Sequence, residues 1–581
     1  MPDEGASYVD PVINQTVFTQ IDLLQNLPEL LQFKFPERFL PTFLHEATHH
    51  WCFTSPVGTT LALLRMRACR RATMAAAGYG SEYIHWDLLE DVLRQEIAQA
   101  LLRPHAEGLA CFMELDALPG SSNVISLPSL LALQNFNASN NDEEGRRNPI
   151  LYLCNLLRRA RFDPQLTERR TDLLASHFEV MQGGHLAGYM IVKGLWRRAR
   201  MQSMHAFDAE LFACFLRAYF WDDYGLVNVL LDPSLSEHNA VNAIAGYFVK
   251  RFNQLLDMDL DRELSIFEAS YLKSSSVERL AGKIPVGHFK FDGIGISDED
   301  WESGTRRLDD LFAELSPKMI EMKTDQISGE WLQSMLEEFD HVRLNRRELL
   351  CIGSLDVDVE INSFGRVTAY HGQGEQRSPV FAGLALDPTP QEASSGSIEF
   401  YLLPRWRSWA FCVLRNDECV SAQIDKSLSD QDQAHLKSLF ETRSSASRMV
   451  MDAEANLTKV IDQDSIHFVY DQFKDTAHAG LEKFALDMII SLVDGPVAGD
   501  FRTKLAAGGM FKLCNDDPIL LRGLAFLGVA WSVSFDRQEV EASATRQGVD
   551  LTRTIAELKV IESLTGYPLL IDAPNHFMVL L

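Results

Sequence analysis

Apolar residues in the first 275 positions recur mainly at spacings of three and four, which is the period of an amphipathic helix. Pairs with this spacing include Leu61 and Leu64, Leu88 and Val92, and Leu211 and Phe215. Only a short segment near the N-terminus, residues 8–18, could add strands before residue 43. The N-terminal half is therefore predicted to be mainly helical.

Strand patterns begin in the second half of the chain. Residues 354–362 alternate apolar and polar side chains, and residues 397–403 and 409–414 are rich in β-branched, aromatic and other apolar residues. Glycine-containing turn signals at residues 363–365 and 372–374 predict hairpins between such strands. This region is predicted to be β-rich.

The C-terminal region, residues 426–581, mixes the two patterns. Helices are predicted over Asp430–Glu441, residues 481–492 and residues 555–564, and a short strand is predicted over residues 466–470. The chain ends in an apolar run. A mixed α/β C-terminal region follows from this alternation.

These changes of pattern divide the chain into predicted units. Residues 273–300 turn to Ser, Gly and Asp, which indicates a linker or loop before a further helical stretch. We therefore expect a multi-domain α+β protein: a mainly helical N-terminal domain, a connector, a β-rich domain and the mixed C-terminal region. The predicted boundaries are 1–275, 276–345, 346–425 and 426–581.

An HExxH motif lies at the start of a predicted helix, just after Pro41, a residue that suits a first helical turn. On a helix, His45 and His49 lie one turn apart on the same face, so both imidazoles could bind one Zn²⁺. Glu46 beside them could take a proton from an attacking water molecule. The motif is typical of a metallohydrolase.

A catalytic zinc site takes three protein ligands and keeps its fourth position open. In metzincins the motif continues as HExxHxxGxxH. Here Cys52 occupies the glycine position and Ser55 the position of the third histidine, which excludes that subclass. The third ligand must therefore come from another part of the chain.

Residues 107–110 read Glu-Gly-Leu-Ala. This segment resembles the glutamate helix of the gluzincins, whose third ligand often lies in an E-G-x-A sequence. Together with the HExxH motif, it gives the chain a resemblance to gluzincin-type zinc metallopeptidases over about residues 35–200. The small residues Gly108 and Ala110 would also let this helix approach the HExxH helix closely.

The resemblance implies a zincin-like fold for the N-terminal domain and a zinc ion held by His45, His49 and Glu107. It also implies that Glu46 is the general base of peptide hydrolysis. Two other glutamates remain alternatives for the third ligand: Glu114, two turns further on the same helix face, and Glu96, three turns earlier.

The sequence departs from the gluzincin pattern where a ligand histidine would be oriented. Many gluzincins carry a carboxylate four residues after the glutamate ligand, but here that position is Cys111. Glu114 or Asp116 could substitute for it. His50 points about 100° away from His49 on a helix, which indicates a supporting or packing role.

Peptide hydrolysis also needs a donor for the developing oxyanion, commonly a Tyr or His from a later segment of a zincin. The candidates are His177, His185 and Tyr189. The last two are spaced i, i+4 on a predicted helix with small neighbours, including Gly188, that would permit close packing. His185 and Tyr189 are therefore predicted to be catalytic.

Composition narrows the range of partners. The chain has 581 residues, of which 46% are hydrophobic and 23% charged, and this is typical of a globular protein. The 54 basic and 81 acidic residues give a net charge of −27, which disfavours nucleic acids and anionic membranes as partners. A neutral or basic polypeptide is a more compatible partner for a chain of this charge.

The nine cysteines never form CxxC, which favours reduced thiols. The chain opens with acidic and polar residues rather than a signal segment, and the apolar run at residues 518–535 is short and interrupted by Arg522. We therefore expect a cytoplasmic protein without a membrane span.

The sequence predicts a zinc metallopeptidase whose C-terminal half recruits a protein or peptide substrate or binds a regulatory protein. An endopeptidase is preferred, because no GxMEN-like segment of the gluzincin aminopeptidases is present. The alternative is a scaffold protein with an inactive zincin-like domain or a structural metal. Glu46 favours the enzyme, since a purely structural metal site needs no carboxylate beside its first ligand.

Overall fold

The computed structural model describes part of the chain. It comprises residues 8–10, 15–17, 25–26, 40–76, 82–116, 164–176, 185–203, 205, 209–273, 302–304, 306–308, 310, 349–372, 376–403, 408–416, 418–441, 452–460, 517–527, 533–565 and 570–579.

The N-terminal half is mainly helical, as its apolar spacing predicts. Two short strands, β1 (Tyr8–Asp10) and β2 (Gln15–Val17), form an antiparallel hairpin. The helices that follow are α1 (Leu40–Phe53), α2 (Pro56–Ala76), α3 (Glu82–Leu115), α4 (Pro164–Ala175), α5 (His185–Gln202), α6 (Ala209–Trp221), α7 (Tyr224–Leu230), α8 (Glu237–Asp257) and α9 (Leu260–Lys273).

The second half begins with strands and ends in a mixture of helices and strands. The strands are β3 (Leu350–Ile361), β4 (Arg366–His371), β5 (Ser378–Leu384), β6 (Gln391–Leu403), β7 (Ser408–Arg415) and β8 (Glu418–Ile424). They precede α10 (Asp430–Glu441), α11 (Pro518–Leu527), β9 (Val533–Asp536), α12 (Arg537–Gln547), α13 (Leu551–Thr565), β10 (Leu570–Asp572) and β11 (His576–Val579).

The α+β class and several individual elements are confirmed. The alternation over residues 354–362 lies in β3, where Val357, Val359 and Ile361 are buried on one face. The predicted helix Asp430–Glu441 is α10, and the helix predicted over residues 555–564 lies within α13. The helix at 481–492, the strand at 466–470 and the linker at 273–300 lie outside the described residues.

One eight-stranded sheet joins the two halves of the sequence. Strand β3 pairs in antiparallel fashion with β6 and, near its end, with β4, and β6, β7 and β8 continue the sheet. The N-terminal hairpin joins the same sheet, because β2 runs parallel to the start of β3, with Thr16 opposite Leu350. The strands β9, β10 and β11 form a second, three-stranded sheet.

Helices pack on both faces of the large sheet. On one face, Ala47 of the HExxH helix α1 joins an apolar cluster with Ile352, Val359 and Phe400 of the sheet. On the other face, Leu436, Leu439 and Phe440 of α10 pack with Tyr401 and Cys412. The sheet that supports the motif helix is therefore built mainly from residues downstream of the helical half.

The largest hydrophobic cluster is shared between helices from both ends of the chain. It contains Leu109 of α3 and Leu166 of α4 together with Leu457, Leu520 and Leu524 from the C-terminal region. Helix α11 packs directly against α4. Burial of these apolar side chains in a common core is the main favourable term that holds the segments together.

Helix α3 approaches α5 at two glycines. A Cβ atom at Gly108 would overlap the Gly188 carbonyl, and one at Gly188 would overlap the carbonyl of Pro104, one turn earlier on α3. Gly108 was predicted to let α3 approach the HExxH helix, but the atoms nearest to its missing Cβ belong to α5. Gly108 instead lets α5 approach α3, which brings His185 next to Glu107.

We expect Gly188→Ala to destabilise the protein, because the added methyl group has no space between the two helix backbones. Overpacking of this kind costs about 1–3 kcal/mol. Gly246→Ala is the matched control, since Gly246 is an exposed position in α8 where a Cβ meets nothing within 4 Å and alanine improves helix propensity. Denaturant unfolding of both variants tests this; equal midpoints would contradict the close approach.

In the described part of the chain, no helix combines the length and apolar character needed to cross a bilayer.

Candidate metal centre

Helix α1 aligns the two motif histidines. Its apolar residues Leu44 and Ala47 are buried in the surrounding cores, which fixes the rotation of the helix. Because His45 and His49 are one turn apart, their rings meet edge to face with centroids 4.9 Å apart. Their Nε2 atoms are 3.2 Å apart. Both ligand atoms thus point to one place, as the spacing predicts.

Glu107 of α3 completes this group. Its Oε2 atom lies 3.2 Å from His49 Nε2 and 3.7 Å from His45 Nε2. Among the described residues, the potential ligand atoms of these three side chains all lie within 4.8 Å of one another. The three residues could therefore hold one metal ion.

The buried oxygen of Glu107 has no ordinary partner. Three imidazole nitrogens lie 3.2–3.7 Å from Glu107 Oε2, but among the described residues none of them makes a hydrogen bond of good geometry to it. An unsatisfied buried carboxylate oxygen is costly, so such an atom needs an explanation. A cation between Glu107 and the two motif histidines would satisfy it.

The other two glutamates named as alternative ligands have different partners. Glu96 lies 3.5 Å from the guanidinium of Arg65 on α2. Glu114 accepts a hydrogen bond from His45 Nδ1 at 2.9 Å, on the side of the ring away from Nε2. Of the three, only Glu107 brings a carboxylate oxygen close to both motif histidines.

Glu114 fixes the chemical state of His45. A carboxylate oxygen can only accept, so His45 Nδ1 carries a proton, and when the ring is neutral its lone pair is on Nε2, the atom that faces His49 and Glu107. This is the orientation that a metal ligand requires. Of the two residues predicted as substitutes for the missing carboxylate at position 111, Glu114 contacts His45, whereas Asp116 contacts Tyr189 and Lys193.

Cys111 also contacts His45. Burial alone would lower the pKa of His45, but the neighbouring side chains of Cys111, Glu107 and Glu114 raise it well above its usual value. Burial raises the pKa of the Cys111 thiol, so this side chain stays a neutral neighbour. His50, the third histidine of the motif segment, is buried, in agreement with a packing or supporting role.

Glu46 is buried within the same charged group. Burial raises the pKa of its carboxyl group, while the neighbouring His45 and His49 act in the opposite direction. For Glu107 the balance is reversed: burial would raise the pKa, but His49, with His185 and His45, lowers it well below its usual range. The site therefore contains one carboxylate that stays ionised and another that is a stronger base than an exposed glutamate.

His185 and Tyr189 of α5 have different environments. His185 Nε2 lies 3.2 Å from Glu107 Oε2, and its side chain, 40% exposed, is the most open of the group. Tyr189 is buried, and its hydroxyl donates its single proton to Asp116, which also pairs with Lys193 at 3.1 Å. His185 is thus at the edge of the centre, whereas Tyr189 is engaged elsewhere. His177 lies outside the described residues.

Comparison of the chain with protein-family models, with curated proteins and with solved structures found no match.

One charged neighbour of the centre was not predicted from the sequence. Arg169 of α4 pairs through its Nε atom with Glu114, and its Nη1 donates to Thr42 Oγ1 at 2.7 Å. No motif or spacing connects position 169 to the HExxH helix. The contact follows only from the way α4 packs beside α1 and the end of α3.

Proposed function

We propose that this protein is a zinc-dependent metallopeptidase that hydrolyses peptide bonds within a polypeptide chain. The observation that carries the proposal is the convergence of His45 Nε2, His49 Nε2 and Glu107 Oε2, with the motif glutamate Glu46 buried beside them. Three protein ligands and one adjacent general base are the groups that a zinc hydrolase needs.

The separations between these three atoms support zinc. A tetrahedral ion with bonds of about 2.0–2.1 Å to nitrogen and oxygen has ligand atoms about 3.3 Å apart. The three separations here are 3.2, 3.2 and 3.7 Å. The donor set, two imidazoles and one carboxylate, is also that of the catalytic zinc sites of thermolysin-type enzymes.

Zinc, when bound, would supply a Lewis acid that polarises the substrate carbonyl and activates water at neutral pH. Residues of the chain transfer the proton and orient the metal ligands. Glu46 takes the proton of the attacking water and can pass it to the leaving amine, for which its raised pKa suits it. Glu114 accepts a hydrogen bond from His45 Nδ1, which leaves Nε2 as the ring atom that can bind the metal.

His185 is the residue that we assign to the oxyanion. Its side chain is 40% exposed and its Nε2 atom lies 3.2 Å from Glu107 Oε2, so a substrate carbonyl at the centre could approach this nitrogen. Tyr189 is a supporting residue in this proposal, because its proton is already donated to Asp116. The proposed substrate is a protein or peptide, recruited or controlled through the C-terminal half.

The test is cleavage of an unbiased peptide library by the purified full-length protein. We expect new peptide termini with the zinc-loaded protein and none after chelation, with activity restored by added zinc. Mass spectrometry of the library identifies the termini and also their sequence preference. Stoichiometric zinc binding without any new terminus would support the scaffold alternative; absence of zinc binding would overturn the metal centre itself.

A further inference from the structure

Arg169 connects three elements at the edge of the candidate centre. It extends from α4, pairs with Glu114 at the end of α3 and donates to Thr42 in the first turn of α1. The next residue, Arg170, donates to the Leu115 carbonyl at 2.8 Å. Two successive arginines thus attach α4 to the end of α3, but only Arg169 contacts the carboxylate that orients His45.

The two oxygens of Glu114 have different partners. Oε2 accepts from His45 Nδ1 at 2.9 Å, and Oε1 pairs with Arg169 Nε. The Glu114 side chain is only 5% exposed, so it has little access to solvent that could stabilise its negative charge. A buried carboxylate with a single hydrogen-bond partner would be poorly stabilised and free to turn about its side-chain torsions. Arg169 supplies the charge and fixes the second oxygen.

We propose that Arg169 is a positioning residue of the metal centre, which acts through Glu114 to hold the His45 ring with Nε2 toward the metal. The proposal rests on the proposed zinc site, because it assigns Arg169 an effect on metal affinity. Its guanidinium suits this task, since a planar fork with several donors can contact Glu114 and Thr42 at once. Thr42 also belongs to α1, the helix that carries both histidines.

The C-terminal region packs against the helix that carries Arg169. Helix α11 packs against α4, and its Leu520 and Leu524 share the large hydrophobic cluster with Leu166 of α4. Since α4 carries Arg169, residues far downstream help to set the position of the guanidinium. The C-terminal half was predicted to recruit substrate or to regulate the enzyme, and this packing is one physical route for regulation.

The experiment measures zinc affinity of full-length apo protein in competition with a chromophoric chelator. The variants are Arg169→Met, Arg169→Lys, Glu114→Gln and the double variant Arg169→Met with Glu114→Gln. Arg103→Met is the matched control, because Arg103 is an exposed residue of α3. The melting temperature of each apo protein reports whether the fold is retained.

We expect Glu114→Gln to weaken zinc binding by about 10–100-fold, as loss of an outer partner of a ligand histidine does. Arg169→Met should weaken it by about 10-fold, and Arg169→Lys by less, since lysine keeps the charge but not the two-way contact. Because Arg169 acts through Glu114, the double variant should match Glu114→Gln within about twofold. Arg103→Met should leave zinc affinity unchanged.

The outcomes separate this inference from the proposed function. Zinc binding by Arg169→Met as tight as that of the unchanged protein would overturn the positioning role and leave the metallopeptidase proposal standing. Additive losses in the double variant, with a lowered melting temperature of apo Arg169→Met, would show a structural role and also overturn it. Absence of zinc binding by the unchanged protein would overturn both.

Discussion

Replacing Glu46 with glutamine is expected to slow hydrolysis by orders of magnitude and to leave the fold and zinc binding unchanged. Glutamine has nearly the same shape as glutamate but cannot accept the proton of the attacking water. Glu46 does not belong to the group His45, His49 and Glu107, so the proposed metal ligands are unaffected. General-base catalysis contributes about 10²–10⁴-fold in rate, and a loss of this size is expected here.

The measurements are the rate of cleavage of a library-derived peptide, the zinc content and the melting temperature of the same preparation. Removing a buried carboxylate whose pKa is already raised by burial should not lower the melting temperature. Glu168→Gln is the control, because Glu168 is exposed on α4 and its replacement removes the same charge at a different position. Retention of full activity in Glu46→Gln would exclude Glu46 as the base.

Replacing Glu107 with alanine should remove most of the metal from the protein. Only Glu107 Oε2 among the described carboxylate oxygens lies close to both His45 Nε2 and His49 Nε2. The loss of a direct ligand should exceed the loss of about 10–100-fold in affinity that removal of an outer partner causes. Elemental analysis after dialysis measures the zinc that remains.

Glu96→Ala is the matched control for this second prediction. Glu96 lies on the same helix and is an alternative ligand from the sequence, but its carboxylate lies near Arg65. Zinc retained in Glu96→Ala and lost in Glu107→Ala is the expected pair of results. The opposite pair would move the third ligand to Glu96. His49→Ala should behave like Glu107→Ala, because both remove one atom of the same group.

The sequence predicted much of the candidate site because the relevant residues lie on regular helices. The i, i+4 spacing of His45 and His49 determines that both rings lie on one face, whatever else packs nearby. The segment around Glu107 was recognised by its resemblance to the gluzincins. His185 was predicted to be catalytic because its helix contains small residues that permit close packing. In the structure it lies beside Glu107. The functional roles of these residues stay predictions.

Residues that act through contacts between distant segments could not be predicted in the same way. Arg169 belongs to a short helix with no motif, and its pairing with Glu114 depends on how α4 packs. The engagement of Tyr189 with Asp116 instead of the open side of the site depends on the rotation of α5 and its approach to α3 at Gly108 and Gly188. Local periodicity contains no information on such packing.

By itself, the sequence determined the local elements: the helices of the N-terminal half, the strands after residue 350, and the alignment of the two motif histidines. These follow from the 3.6-residue and two-residue periods of apolar burial, which need no knowledge of the partner surface. Only the tertiary structure decided that the sheet behind the HExxH helix comes from residues 350–424 and the N-terminal hairpin. It also decided that α11 packs on α4. Such contacts join segments hundreds of residues apart, and the chain forms them because together they bury apolar surface that no segment can bury alone.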